Sequence, residues 1–250
     1  MSISKINRHH IAIEGIDGCG KSTFIKKLSE TLKLIDEYNV LYDCSPYDSD
    51  VTKVIRKMLK NEYKLSNKIL HKELLSLFML DNHIHGNEVT KFLSEDIKNL
   101  VITDRYIAST FAYQSLNAKL KDIVKMTKDY DGITCPGLIL YFDISPKVSL
   151  DRVNNRGEEK EIFEKTEVLE QVKNNYYTAF KTLDKLTKKD VCIISIDASL
   201  PINDVFSIAF KVINEYLTFG SAYVKSTYSE IYNRESEKNK YCKSIEDINI

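Results

Sequence analysis

Lys21 and Ser22 stand side by side, with Gly20 before them and Gly15 further upstream, in the stretch Gly15-Ile16-Asp17-Gly18-Cys19-Gly20-Lys21-Ser22-Thr23. Glycine, four residues, glycine, lysine and serine is the spacing of a loop that wraps phosphate. Glycines let the backbone close around the anion, and a helix starting at the lysine aims free N–H groups and the positive end of its dipole at it. The Lys21 ammonium would reach the outer phosphates, and the Ser22 hydroxyl would ligate Mg²⁺. A second pair, Asp104-Arg105, opens the stretch Asp104-Arg-Tyr-Ile-Ala-Ser-Thr-Phe-Ala-Tyr-Gln114. A carboxylate ending a strand beside such a loop can hold Mg²⁺ directly or through water, and an adjacent arginine can clamp phosphate with two N–H groups.

These residues work only if strands and helices bring them together. Five short apolar, β-branched runs read as strands: His10–Glu14, Val40–Cys44, Leu100–Thr103, Leu138–Asp143 and Val191–Ile196. Helical patterns lie between them, which predicts repeated βαβ units and a parallel sheet. Phe24, Ile25, Leu28, Leu32 and Ile35 give the first helix one apolar side. Ser66–Leu80 and a stretch from about Glu88 to Ile97 read as two further helices. Ser145-Pro146 reads as a cap and first helical residue. Asp151–Lys165 is highly charged and reads as an exposed flap; Val168–Leu186 and Pro201–Tyr216 resume helices. From Phe219 to Ile250 the chain turns polar and reads as an appended helix or a partly disordered tail.

Composition narrows the class. Thirty-six basic residues balance thirty-six acidic ones, so no general nucleic-acid or membrane-surface binding is expected. The five cysteines are scattered without a Cys-x-x-Cys pair and read as buried thiols, neither a disulfide frame nor a zinc site. No apolar run approaches the ~18 residues of a membrane span, and Met1–His10 lacks an apolar signal-peptide core, so a cytoplasmic location is expected.

Together the two motifs resemble those of the thymidylate kinases, a branch of the P-loop nucleoside monophosphate kinases. The family patterns E-G-x-D/E-G-x-G-K-S/T and D-R-Y/H-x-x-S-x-x-A-Y-Q are nearly complete here. The likeness continues through Leu140–Pro146 to Tyr176 and covers about residues 8–218, leaving 219–250 as an extension. It implies an α/β, three-layer P-loop fold: a five-stranded parallel sheet flanked by helices, with a mobile arginine-bearing lid at about 151–165. It implies ATP and Mg²⁺ as cofactors, dTMP as acceptor giving dTDP, and a symmetric homodimer.

The resemblance also assigns roles. Residues Gly15 to Thr23 would hold ATP, with Ser22 and Asp104 on the metal. Asp17 would meet the acceptor's sugar, and Arg105 the transferred or acceptor phosphate. Gly18 marks the subtype whose catalytic arginines come from the lid, and Arg152 and Arg156, four apart and so on one helical face, fit it. Ser109, Tyr113 and Gln114 would line the acceptor pocket, and Phe78 would stack on the base. Two departures stand out. Cys44-Ser-Pro-Tyr-Asp-Ser-Asp50 lacks the family's phosphate-gripping arginine, leaving Lys53 and Arg56 as substitutes and requiring Asp48 to point away. Asn82 replaces the base-reading arginine, and His83 and His85 beside it read as surface residues. The missing arginine keeps two alternatives in view: a nucleoside kinase acting on a 5′-hydroxyl, and a non-catalytic nucleotide-binding module.

Overall fold

The computed structural model describes residues 5–154 and 166–228. All five expected strands form: β1 (Ile6–Glu14), β2 (Asn39–Cys44), β3 (Asn99–Asp104), β4 (Cys135–Asp143) and β5 (Cys192–Asp197). They make one parallel sheet in the order β2-β3-β1-β4-β5. Helices cover both faces, so the strands read as continuous apolar runs and not as alternating ones. Ile11, Ala12, Ile13, Val101, Ile102, Leu138 and Ile139 have no exposed surface.

Strand register sets the place of the chemistry. Cys44 and Ile13 both pair with Asp104, Glu14 pairs with Tyr141, and Asp143 pairs with Asp197. The carboxyl ends of β1, β2 and β3 therefore finish within one residue of each other, β4 and β5 run two residues further, and Glu14 and Asp104 stand on adjacent central strands. In an open parallel sheet this edge is where ligands bind, because the loops leave it towards opposite faces.

The helices are α1 (Lys21–Ile35), α2 (Asp50–Leu59), α3 (Asn67–Glu95), α4 (Ile107–Gln114), α5 (Leu120–Asp129), α6 (Pro146–Asn154), α7 (Thr166–Leu186) and α8 (Ile202–Thr227). The two helices expected between Ser66 and Ile97 are one continuous α3. The stretch between them, Asp81 to Gly86, instead lies in mid-helix, with Asp81, Asn82 and His85 fully enclosed. Gly86 belongs there because a Cβ would collide with the Gly132 carbonyl oxygen of the loop before β4. Helix α5, for which no sequence signal was read, buries Ile123, Val124 and Thr127 on one side.

Of the flap expected over Asp151–Lys165, Asp151–Asn154 instead form the last turn of α6, and the remainder lies outside the described residues. Helix α6 starts as its cap predicts, with the Val148 N–H donating to Ser145 Oγ at 3.3 Å. Helix α8 continues past Tyr216 and the expected boundary at 218, bending at Gly220 (φ 82°, ψ 178°). A small satellite core of Ile55, Met58, Leu59, Leu70 and Leu74 joins α2 to α3, and Phe78 packs against it. That pairing makes the outer wall of the site.

Candidate functional site

The loop from Gly15 to Gly20 leaves β1 and closes onto α1, with Gly20 in the left-handed region (φ 100°) as N-cap. Lys21 is nearly buried and its Nζ turns back over the loop, donating to the Gly15 and Ile16 carbonyl oxygens at 3.3 Å each. The same nitrogen lies 4.0 Å from an Asp104 oxygen. A cation on the inner side of a ring of backbone N–H groups is the arrangement that holds a polyphosphate.

Ser22 Oγ donates to Asp104 Oδ2 at 2.8 Å. This pair of adjacent oxygen donors suits a hard divalent cation. Among the described residues no cluster of three or more His, Cys, Asp or Glu side chains offers a full protein cage. Two protein oxygens completed by phosphate and water is how Mg²⁺ is usually held.

Arg105 is the hub behind the loop. Its backbone lies in the left-handed region (φ 67°), uncommon for a residue with a side chain. Nη1 donates to the Gly15 carbonyl (2.7 Å), Tyr176 Oη (3.1 Å) and Ser109 Oγ (3.2 Å), and Nη2 meets Asp17 Oδ1 at 2.5 Å. Tyr113 Oη donates to the other Asp17 oxygen at 2.8 Å. Burial opposes the Asp17 charge, but the guanidinium of Arg105 and then Lys21 outweigh it, holding the carboxyl below its usual pKa.

Beneath Arg105 lies Glu14, fully buried at the end of β1. It accepts from the Tyr106 N–H (2.9 Å), the Ser109 N–H (3.2 Å), Ser109 Oγ (2.5 Å) and Tyr176 Oη (3.1 Å). Burial raises its pKa, and the bonds from Ser109 and Tyr106 and the charge of Arg105 offset that only partly. Glu14 thus ties the start of α4 to α7 across the sheet edge.

Two cavities flank the phosphate loop. One, of about 350 Å³, is lined by Asp17, Cys44, Ser45, Pro46, Arg56, Leu59, Lys60, Phe78, Arg105, Ser109, Thr110, Tyr113 and Gln114. The other, of about 280 Å³, has Gly18, Cys19, Gly20, Thr23 and Lys27 on one side and Arg152, Ala198, Leu200 and Phe206 on the other. Helix α6 presses on the loop between them. Ser149 Oγ donates to the Asp17 carbonyl, and a Cβ on Gly18 (φ 78°) would strike the Ser149 backbone.

Many expected site residues line these two spaces, whereas Gly15, Ile16, Lys21, Ser22 and Asp104 belong to the loop and its strand neighbour and are not among the lining residues. Lys53 is an exposed side chain on α2 held by Asp50 at 2.7 Å and is not among the residues lining the first cavity, whereas Arg56 is. Asn82 does not reach the cavity either. It is fully buried behind it, and Nδ2 donates to the Phe78 carbonyl and to Thr110 Oγ1, each at 2.8 Å. Arg152 borders the second cavity and donates to the Ala198 carbonyl at 3.3 Å, while Arg156 lies outside the described residues. Asp48 is exposed and is not among the residues lining the first cavity.

His85 is not a surface residue. It stacks on Tyr47 with ring centroids 4.8 Å apart and lies 3.5 Å from Asp43, in a pocket that holds its pKa down to about 4 by burial. Partly exposed His83 accepts from the Gly132 N–H at 3.1 Å.

Sequence reading gave no role to Glu14, Thr110, Asp81, Ser149 or Tyr176. Glu14 carried a signal, a lone charge closing an apolar strand. Asp81, which accepts from the Tyr47 N–H at 2.9 Å and Thr52 Oγ1 at 3.2 Å, carried none, because its partners come from another element.

The Thymidylate kinase family model matches residues 13–207. A "Probable thymidylate kinase" of Methanococcus maripaludis is 34% identical over 199 residues, 79% of this chain and 90% of that protein. A "Probable thymidylate kinase 1" of Saccharolobus solfataricus is 32% identical, covering 83% and 97% of the two chains. A "Thymidylate kinase" of Leptospira interrogans is 32% identical, covering 78% and 88%. None of these names supports a kinase acting on a 5′-hydroxyl or a module without turnover. Among the described residues, no helix is long and apolar enough to cross a membrane.

Proposed function

The chain belongs to the thymidylate kinase family, and from that premise we propose that it transfers the γ-phosphoryl group of MgATP to dTMP, giving dTDP and ADP. One observation carries this reading: a single glycine loop forms a wall of two cavities, with Asp17 facing one and Gly18 to Gly20 facing the other. A donor phosphate chain in the second cavity and an acceptor monophosphate in the first would meet across that wall. Holding them in line removes most of the entropic cost of a two-substrate reaction.

In the transfer, an acceptor phosphate oxygen bonds to the γ-phosphorus as the bond to the ADP oxygen breaks. No general base is required, since that acceptor oxygen is already ionised. The protein's task is to steady the negative charge spreading over the transferred group. Lys21, Arg105 and Arg152, which lie on the loop or line the cavities beside it, are the cations for this purpose, and Arg156 belongs to the same set by family register. Ser22 and Asp104 would hold Mg²⁺, which when bound supplies charge neutralisation between the outer phosphates. Arg56 would grip the acceptor phosphate, with Phe78 as the platform for its base.

Following ADP release across a panel of nucleosides and nucleoside monophosphates tests the assignment. The expected result is turnover with dTMP and none with thymidine; turnover with thymidine alone would overturn it. Lys21→Ala should lower kcat by about 10²–10³ with an unchanged circular dichroism spectrum.

A further inference from the structure

We propose that Asn82 acts as a positioning residue that fixes the polarity of the Thr110 hydroxyl, so that the acceptor cavity reads a 4-oxo pyrimidine and disfavours a 4-amino one. This rests on the acceptor being a nucleoside monophosphate and specifies which bases it carries.

The orientation of the Asn82 amide is set by chemistry. Its Nδ2 lies 2.8 Å from the Phe78 carbonyl oxygen, which can only accept, so the nitrogen and not the oxygen must face it. The second hydrogen of that same nitrogen points to Thr110 Oγ1, also at 2.8 Å. Both amide hydrogens are thereby used, and Thr110 is forced to accept. Its own hydroxyl hydrogen meets no acceptor among the described residues. Thr110 is only 3% exposed and lines the first cavity, so that cavity is the direction left for its O–H.

Thr110 stands where a base would lie. The cavity's charged end is Asp17 and Arg105, beside the phosphate loop. Helix α4 carries the wall from there to Gln114, roughly 10 Å along its axis from its start at ~1.5 Å per residue. Thr110 and Gln114, one turn apart, sit on this wall, and the Phe78 ring offers an apolar surface to the same cavity. Gln114 Nε2 is buried without a partner among the described residues, so it brings a further donor to the same wall.

A carbonyl oxygen at C4 accepts the Thr110 hydrogen and satisfies it. An exocyclic amine at C4 sets donor against donor and leaves the hydroxyl hydrogen unmatched in a buried place. An unmet buried hydrogen bond of this kind separates the two bases by about tenfold to a hundredfold.

The test is kcat/KM for dTMP, dUMP and dCMP with MgATP, in the wild-type protein and in Thr110→Val, Thr110→Ser and Asn82→Leu. dUMP shares the 4-oxo group without the methyl, and so separates oxygen reading from methyl packing. The wild-type protein should favour dTMP and dUMP over dCMP by tenfold or more. Thr110→Val, which keeps the shape, should collapse that preference mainly through KM for the oxo substrates, and Thr110→Ser should restore it. Asn82→Leu removes the donor, frees the Thr110 hydroxyl from its fixed polarity and should weaken the preference for the oxo substrates. An oxo preference unmoved by Thr110→Val, with dTMP still turned over, overturns this inference alone. Absence of turnover with every monophosphate overturns the kinase assignment along with it.

Discussion

Arg56 and Lys53 sit less than one helical turn apart on α2, yet only Arg56 borders the acceptor cavity. Lys53 is held by Asp50 on the exposed side, where such a pair contributes little. A guanidinium on a phosphate is a charge-assisted contact worth about 1.5–3 kcal/mol. Arg56→Ala is therefore expected to raise KM for the acceptor by about 10–100-fold with a smaller effect on kcat, while Lys53→Ala leaves both within about twofold. Steady-state kinetics at saturating ATP checks this, and equal effects from the two variants would contradict it. In sequence the two residues were equivalent, because helical spacing alone does not tell which side of α2 meets α3. Asn82 was misjudged for the same reason. Its distance from Phe78 suggested a residue beside the base, whereas the side chain turns inward to Thr110.

Among the elements, α3 departs most from its pattern. Its middle carries Asp81, Asn82, His85 and Gly86, a composition that resembles a break between helices, and all of them are buried. Asp81 and the Asn82 amide nitrogen are held by tertiary contacts at Tyr47, Thr52 and Thr110, and His85 lies beside Asp43, none of which a local reading can include. Gly86 lets the loop before β4 lie directly on the helix, with Gly132 and Tyr106 Oη against the site a Cβ would occupy. Intrinsic propensity favours alanine over glycine in mid-helix by about 1 kcal/mol. Steric overlap with a backbone carbonyl should outweigh that gain, since overpacking costs about 1–3 kcal/mol. Gly86→Ala is expected to lower the urea midpoint; a raised midpoint would mean that the loop yields. By contrast, the strands, α1 and the start of α6 were legible, because repeated apolar residues, glycine spacing and a Ser-Pro cap are local signals.

For the molecule as a whole, Asp81 links stability to pH. It is buried beneath the loop at Ser45–Tyr47, and burial raises its pKa to about 6 despite bonds from Tyr47, Thr52 and Ser45. Against an ordinary value of 3.8, the folded state keeps this proton where the unfolded chain has lost it. The stabilisation is thus complete below about pH 4 and is lost as pH rises through about 6. At about 1.4 kcal/mol per pKa unit the loss totals about 3 kcal/mol. Asp81→Asn retains an acceptor for the Tyr47 N–H but cannot titrate. Denaturant unfolding of both proteins from pH 4 to 7 should show their stability difference changing by about that amount in favour of the variant as pH rises; parallel profiles would exclude the linkage. The overall architecture was readable from five strands alternating with helices, but the order of those strands was not, since nothing local ranks one parallel partner above another.

That order has a consequence for how the protein comes into being. Among the described residues, β1 pairs only with β3 and β4, and β2 only with β3. A chain growing from its N-terminus has made the phosphate loop by residue 20, yet neither of its first two strands has a sheet partner until residues 99–104 exist. The segment that grips the nucleotide is synthesised early and assembled late. Its geometry waits for Asp104 and Arg105, which close the third strand and contact that loop.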